Sequence, residues 1–139
     1  MTGLRYFFDT NLLVYLYSND PKSAIVEKLI HTDFDEISLS IQVLNELYSV
    51  LTRKNLKTKK EAQIIINDLI ENYRIYCLDE QCIKRAITLN IQSHFSYWDS
   101  LIIAAALETG CTTLYSEDLQ HDQLIENSLR ILNPFLVSK

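Results

Sequence analysis

The chain has 139 residues, 47% of them apolar and 22% charged, which fits one globular domain that buries roughly two-thirds of its unfolded surface. A net charge of −5 is unlike the basic excess usual in duplex-binding proteins, but carboxylates gathered around cations would still allow nucleic-acid chemistry, so the sign of the charge decides little. The composition also argues against a Gly-rich phosphate loop, a zinc site with regular Cys and His spacing, a membrane span of ~18 apolar residues, or a signal peptide.

These exclusions predict a cytoplasmic protein with no membrane contact. Cys77, Cys82 and Cys111 lie in or beside apolar segments and lack a C-x-x-C pair, so reduced, buried thiols are expected. Only two Gly and two Pro are present, which predicts closely joined helices and strands.

Leu4 to Phe8 reads as a first, buried strand that runs straight into Asp9, and Leu12 to Tyr17 as a short helix. Ser18-Asn19-Asp20-Pro21 is a stop and restart, with Asp20 as N-cap of a helix reaching about His31. Glu36 to Ser40 alternates like a strand. A helix follows from about Ile41 to Lys54, with Val43, Leu44, Leu47, Val50 and Leu51 on its apolar face and Glu46 at its flank. Five of the eight residues from Arg53 to Lys60 are basic. A helix from Lys59 to Glu71 comes next, then a strand over Tyr73 to Leu78.

Asp79 caps a helix to about Gln92. Ser96 opens the most apolar helix of the chain, which ends at Gly110 and, being apolar nearly all round, should be packed on several sides. Cys111 to Tyr115 is a strand followed at once by Ser116-Glu117-Asp118, and Leu129 to Leu132 is a last short strand. Strands separated by helices predict an α/β fold. It would be a small, mostly parallel sheet of about four or five strands with helices on both faces, in a single domain over residues 1–139.

Four acids stand out. Asp9 follows a strand directly, where it would serve equally as a helix cap or as a ligand at the carboxyl edge of the sheet. Glu46 flanks an apolar helical face, a position that favours pairing or a bound cation. Asp99 stands three residues after Ser96, a spacing that also fits a capping box. Asp118 repeats the placement of Asp9, with a turn residue as its plain alternative. Each alternative is respectable singly. Strand order, however, brings all four toward one sheet edge, where they would repel one another unless a hard cation such as Mg²⁺ or Mn²⁺ neutralised them. Phosphodiester hydrolysis is the chemistry such a site fits.

In this order, these segments resemble the PIN-domain family, and within it the VapC-type toxins of bacterial toxin–antitoxin pairs. The carriers are Phe8-Asp9-Thr10-Asn11, Glu46, Trp98-Asp99-Ser100-Leu101-Ile102, Tyr115-Ser116-Glu117-Asp118-Leu119-Gln120-His121 and Ile131-Leu132-Asn133-Pro134-Phe135. The resemblance implies a Mg²⁺- or Mn²⁺-dependent endoribonuclease on a PIN-like fold, with Asp9, Glu46, Asp99 and Asp118 as catalytic and metal-binding acids. It further implies supporting roles for Asn11 and Ser116, an RNA substrate, a homodimer and a cognate antitoxin protein. The chain departs from the pattern at Asp122, where the family often has Gly and where a left-handed turn would cost an Asp more. Glu117 is an extra acid expected to face solvent.

Direct or water-mediated ligation by Asp9, Asp99 and Asp118, completed by Glu46, is the expected arrangement. The basic run from Arg53 to Lys60 could meet RNA phosphates, but cations complementing a helix C-terminus are the simpler reading. Tyr15, Tyr48 and Tyr97 could stack bases, although tyrosines at helical spacing more often belong to cores. The alternative class is a non-catalytic RNA- or protein-binding module on the same fold, against which four intact acids count. A phosphatase with Asp9 as nucleophile ranks last, since Asn11 stands where a second Asp would be wanted.

Overall fold

A computed structural model describes residues 4–136. Its elements run β1 (Tyr6–Phe8), α1 (Thr10–Leu16), α2 (Lys22–Asp33), a 3₁₀ turn (Phe34–Glu36), β2 (Ile37–Ser40), α3 (Ile41–Arg53), α4 (Lys59–Asn72), β3 (Arg74–Tyr76), α5 (Glu80–Gln92), α6 (Tyr97–Glu108), β4 (Thr113–Tyr115), β5 (Leu124–Ile125) and β6 (Leu129–Leu132). The six strands form one sheet in the order β3-β2-β1-β4-β6-β5. All pairings are parallel except that of β5 with β6.

The sheet thus has more strands than the sequence predicts. The extra one, β5, is two residues long and pairs antiparallel with β6. Its neighbours Glu126 and Asn127 both take positive φ, a tight return that no strand-length apolar run announces. Successive strand residues point to opposite faces, and Phe7 and Phe8 are both fully buried, so both faces of the sheet are covered, as parallel sheets require.

The topology positions the site. From β1 the chain passes to β2 on one side, while β4 lies against β1 on the other. The carboxyl ends of β1 and β4 therefore flank a crevice where the strand order reverses, the place at which open α/β sheets bind ligands. Phe8 pairs with Tyr115, and Asp9 N–H donates to Tyr115 O at 2.9 Å beyond the last paired residues.

Helix α6 is buried without a break from Ser100 to Ala106, which is the packing expected of an apolar helix. Gly110 ends it at φ 73°, a left-handed turn that relieves the helix carbonyls. Two side chains differ from expectation. Trp98 is 64% exposed, because it stands in the first turn of α6, before the buried stretch begins. Cys77 is exposed, whereas Cys82 and Cys111 are buried. It directly follows β3, the short edge strand of the sheet. The N-cap of α2 is Pro21 rather than Asp20; Asp20, one residue earlier, still accepts from Lys22 N–H on Oδ1 at 2.8 Å.

Candidate active site

The site begins with Asp9, for which the helix-cap reading is met. Its Oδ1 accepts from Thr10 N–H at 2.7 Å and so caps α1. Its Oδ2 accepts from the fully buried Ser116 hydroxyl at 2.8 Å. Asp9 is itself only 8% exposed. Burial pushes its carboxyl up to about 6, the negative charges of Glu46 and Asp99 push the same way, and the Ser116 and Thr10 hydrogen bonds oppose them.

Glu46 is reached through Thr10, whose hydroxyl donates to Glu46 Oε1 at 2.6 Å. Gln42, one turn earlier on α3, donates to Glu46 Oε2 at 3.0 Å and to Trp98 O at 3.3 Å, tying α3 to the start of α6. The other Gln42 atom, Oε1, is buried without a partner, an orphaned acceptor beside the acids. In the sequence Thr10 stands out only as part of the Phe8–Asn11 motif, and Gln42 not at all. Gln42 could have been found from its four-residue spacing to Glu46, but nothing in the sequence links Thr10 to a helix 36 positions later.

Asp99 stands in the first turn of α6, whose N-cap Ser96 accepts from Asp99 N–H at 3.1 Å. Its carboxyl is raised, chiefly by burial and further by the charges of Asp118 and Glu46, against a lowering Ser96 hydrogen bond. Asp118 is exposed and accepts from Asn11 Nδ2 at 3.0 Å. Asn11 also takes the Glu117 N–H on its Oδ1 at 3.3 Å, so one amide clamps the loop after β4 to α1.

Glu117 does not face solvent as expected. It forms an ion pair with Lys22 and accepts from Tyr15 Oη at 2.6 Å. Lys22 Nζ lies over the rings of Tyr15 and Phe135, at 4.9 and 5.0 Å from their centroids. This knot anchors the residue next to Asp118. Asp122 takes the left-handed conformation at φ 68°, and Arg130 pairs with its carboxylate at 2.9 Å. A short polar side chain tolerates that region better than most, and Arg130 partly offsets its negative charge.

All four acids line one cleft of about 600 Å³ together with Thr10, Asn11, Tyr15, Asn45, Ser49, Arg53 and Lys54. Among the described residues, no ion pair reaches any of the four. Their hydrogen-bond donors are neutral. Four carboxylates with uncharged partners are a hard-oxygen donor set of the kind Mg²⁺ or Mn²⁺ takes. Among the described residues, no three Asp, Glu, His or Cys side chains lie close enough together to hold a metal ion between them.

The PIN-domain family model matches residues 6–126, which takes in all four acids. The chain belongs to the PIN-domain family. PIN domains are nucleases as a family, and this one has the family's single α/β domain.

Solved structures similar to this PIN domain include VapC20 of Mycobacterium tuberculosis, described as a sarcin-ricin-loop-cleaving toxin. It shares 18% identity at TM-score 0.67, covering 81% of this chain and 89% of that one. VapBC2 of Rickettsia felis, bound to a promoter DNA fragment, shares 20% at TM-score 0.71, covering 94% and 100%. DNA-bound VapBC of Salmonella typhimurium shares 16% at TM-score 0.72, covering 92% and 96%. No curated protein matches in sequence. Among the described residues, no helix is long and apolar enough to cross a membrane.

Proposed function

We propose that this PIN domain is a Mg²⁺- or Mn²⁺-dependent endoribonuclease, acting as the toxin of a toxin–antitoxin pair. The observation that carries the reading is the cleft itself, where Asp9, Glu46, Asp99 and Asp118 converge without a cation among their partners. In this reading Asp9, Asp99 and Asp118 hold the ion directly or through its waters, and Glu46 completes the set. A bound ion would supply Lewis acidity toward the phosphodiester and the water that attacks it.

The chain's own residues do the positioning. Ser116 and Thr10 fix both oxygens of Asp9, Thr10 and Gln42 fix Glu46, and Asn11 fixes Asp118. Burial and mutual repulsion raise the carboxyls of Asp9 and Asp99, a cost that a bound cation would offset. The site is therefore preorganised for positive charge rather than for a substrate anion.

The toxin reading is supported by the toxin–antitoxin complexes among the similar structures. It carries with it a cognate antitoxin, a homodimer and a cytoplasmic setting. The exposed residues Ile83, Ile87 and Ile91, spaced four apart along α5, offer apolar surface for such partners. The test is incubation of total cellular RNA with the purified protein in Mg²⁺, Mn²⁺ or chelator, with the cut sites mapped. Internal cuts in metal and none in chelator are expected. Intact RNA in both metals would overturn the reading and favour the non-catalytic module. A small protein encoded beside this chain that binds it and stops cleavage would establish the toxin part.

A further inference from the structure

The fold splits the basic run that the sequence presents as one block. Lys59 and Lys60 begin α4 and line a neighbouring, mostly apolar groove of about 590 Å³ between α3 and α4, which meets the cleft of the acids at Asn45. Arg53 and Lys54 instead line the cleft of the four acids. Glu46, Ser49 and Val50, and Arg53 recur at three- and four-residue intervals, so one face of α3 runs from the acids to the cations. At 1.5 Å per residue, Glu46 and Arg53 are separated by roughly 10 Å along the helix.

Neither cation is used by the protein as an ion-pair partner among the described residues. Arg53 Nη1 donates to Ser49 Oγ at 3.2 Å, which orients the guanidinium along α3 and leaves its other N–H groups free for a ligand. If Arg53 and Lys54 served only the α3 dipole, nothing would require them to line this cleft. If they served the acids as counterions, they would stand beside them.

An RNA entering here faces a difficulty. The protein carries a net charge of −5, and a single divalent ion would only partly offset the four carboxylates of the cleft, so general electrostatic attraction is weak. Attraction has to be local. Arg53 and Lys54 are the basic residues that line the cleft. Asn45 and Ser49, with neutral hydrogen-bonding groups, lie along the same wall.

We propose that Arg53 and Lys54 form the backbone-holding arm of this nuclease, gripping phosphates of single-stranded RNA a few nucleotides to one side of the bond that faces the acids. The inference rests on the endoribonuclease reading and deepens it. It makes the cleft polar in function as well as in charge, with chemistry at the β1–β4 end and a grip at the α3 C-terminus. Arg53 and Lys54 act by placing the strand; they do not touch the reacting atoms.

The test compares the double variant Arg53→Gln/Lys54→Gln with the charge-matched Lys59→Gln/Lys60→Gln. RNA affinity is measured against salt in the uncleaving Asp9→Asn background with Mg²⁺ present, and kcat and KM are measured with Asp9 intact. For the cleft pair, the salt slope of binding falls by about 1.4, two contacts at ~0.7 each for single strands. KM rises about 10-fold while kcat stays within about 2-fold, the signature of lost uniform binding. Arg53→Lys alone, which keeps the charge, retains most of the affinity. The α4 pair changes none of these.

An unchanged salt slope in the cleft pair, or equal losses in both pairs, overturns the proposal while leaving the nuclease reading intact. A fall in kcat at constant KM overturns it too, since that would mean a role in the chemistry. A wild-type protein that cleaves no RNA in either metal overturns both.

Discussion

This PIN domain treats two sets of acids in opposite ways. Glu108 and Glu126 share Arg85 at 2.7 Å each, Asp122 pairs with Arg130, and Glu117 pairs with Lys22. Asp9, Glu46, Asp99 and Asp118 receive only neutral donors, from Thr10, Ser116, Gln42, Ser96 and Asn11. Scarcity of positive charge does not explain the difference, because Lys22 reaches the residue immediately before Asp118. Other acids, such as Asp20, Asp68 and Asp79, are also without an ion pair among the described residues; what sets the four apart is that they meet in one cleft. In the proposed reading, that convergent set of carboxylates is what an incoming cation would bind.

The sharpest way to break that comparison is Asp9→Asn. The variant keeps the shape of the buried side chain and an oxygen for the Thr10 amide, so the fold should survive. Cleavage of RNA should fall by about 10³-fold or more, roughly 4 kcal/mol of lost transition-state stabilisation. A purified, folded variant that cuts as well as the parent would show that Asp9 is a cap and nothing else.

The same residue predicts a pH effect on stability. Its folded carboxyl sits at about 6, above the ordinary value of 3.8. A raised value means that the protonated form favours the folded state, so the contribution is complete below about 3.8 and is lost as pH rises through about 6. Without metal, the stability of Asp9→Asn relative to the parent should therefore improve by roughly 2 kcal/mol between pH 4 and pH 7. Denaturant titrations at both pH values in chelator measure it. Mg²⁺ at pH 7 should close the gap by stabilising the parent. A gap that ignores pH would mean that the burial of Asp9 is compensated by something other than an incoming ion.

Asn11→Ala tests the neutral support. It removes both the donor to Asp118 and the acceptor for the Glu117 amide. Cleavage should fall about 10-fold, near 1.4 kcal/mol, and most of the loss should lie in kcat. Lys22 still anchors Glu117, which limits how far the loop can move. Equal activity would place the positioning of Asp118 wholly on the Lys22 knot.

Much of this contrast was legible in the chain itself, and the rest was not for definite reasons. Asp9 and Asp118 could be placed because each follows an apolar run that can only be a buried strand, and parallel order then puts both at one edge. Asp99 could be placed because Ser96 marks the start of its helix. The partners of the acids were less accessible. Thr10 meets Glu46 across 36 residues, and Glu117 meets Lys22 across 95, distances that local pattern does not encode. That is why Glu117 reads as solvent-facing in sequence and is pinned in the structure. The basic run shows the converse failure: neighbours in sequence, Lys54 and Lys59, end in different grooves because α3 stops between them and the chain turns at Asn55, which takes φ 57°. Strand β5 escaped because two residues carry no periodicity.

The smallest expected effect lies on the paired side of the comparison. Arg85→Gln removes the cation that Glu108, near the C-terminus of α6, shares with Glu126, beside β5. The three side chains are half-exposed, so the Coulomb gain is screened and offset by the cost of holding them in place. A loss of about 1 kcal/mol or less is expected, read as a small shift of the urea midpoint at unchanged m-value. RNA cleavage should stay at the parent level, since no acid of the cleft is touched. If the variant instead lost activity while remaining folded, the pairing of α5 with α6 would have to reach Asp99 through the helix. The division between acids that stabilise and acids that react would then be less clean than the hydrogen bonds describe.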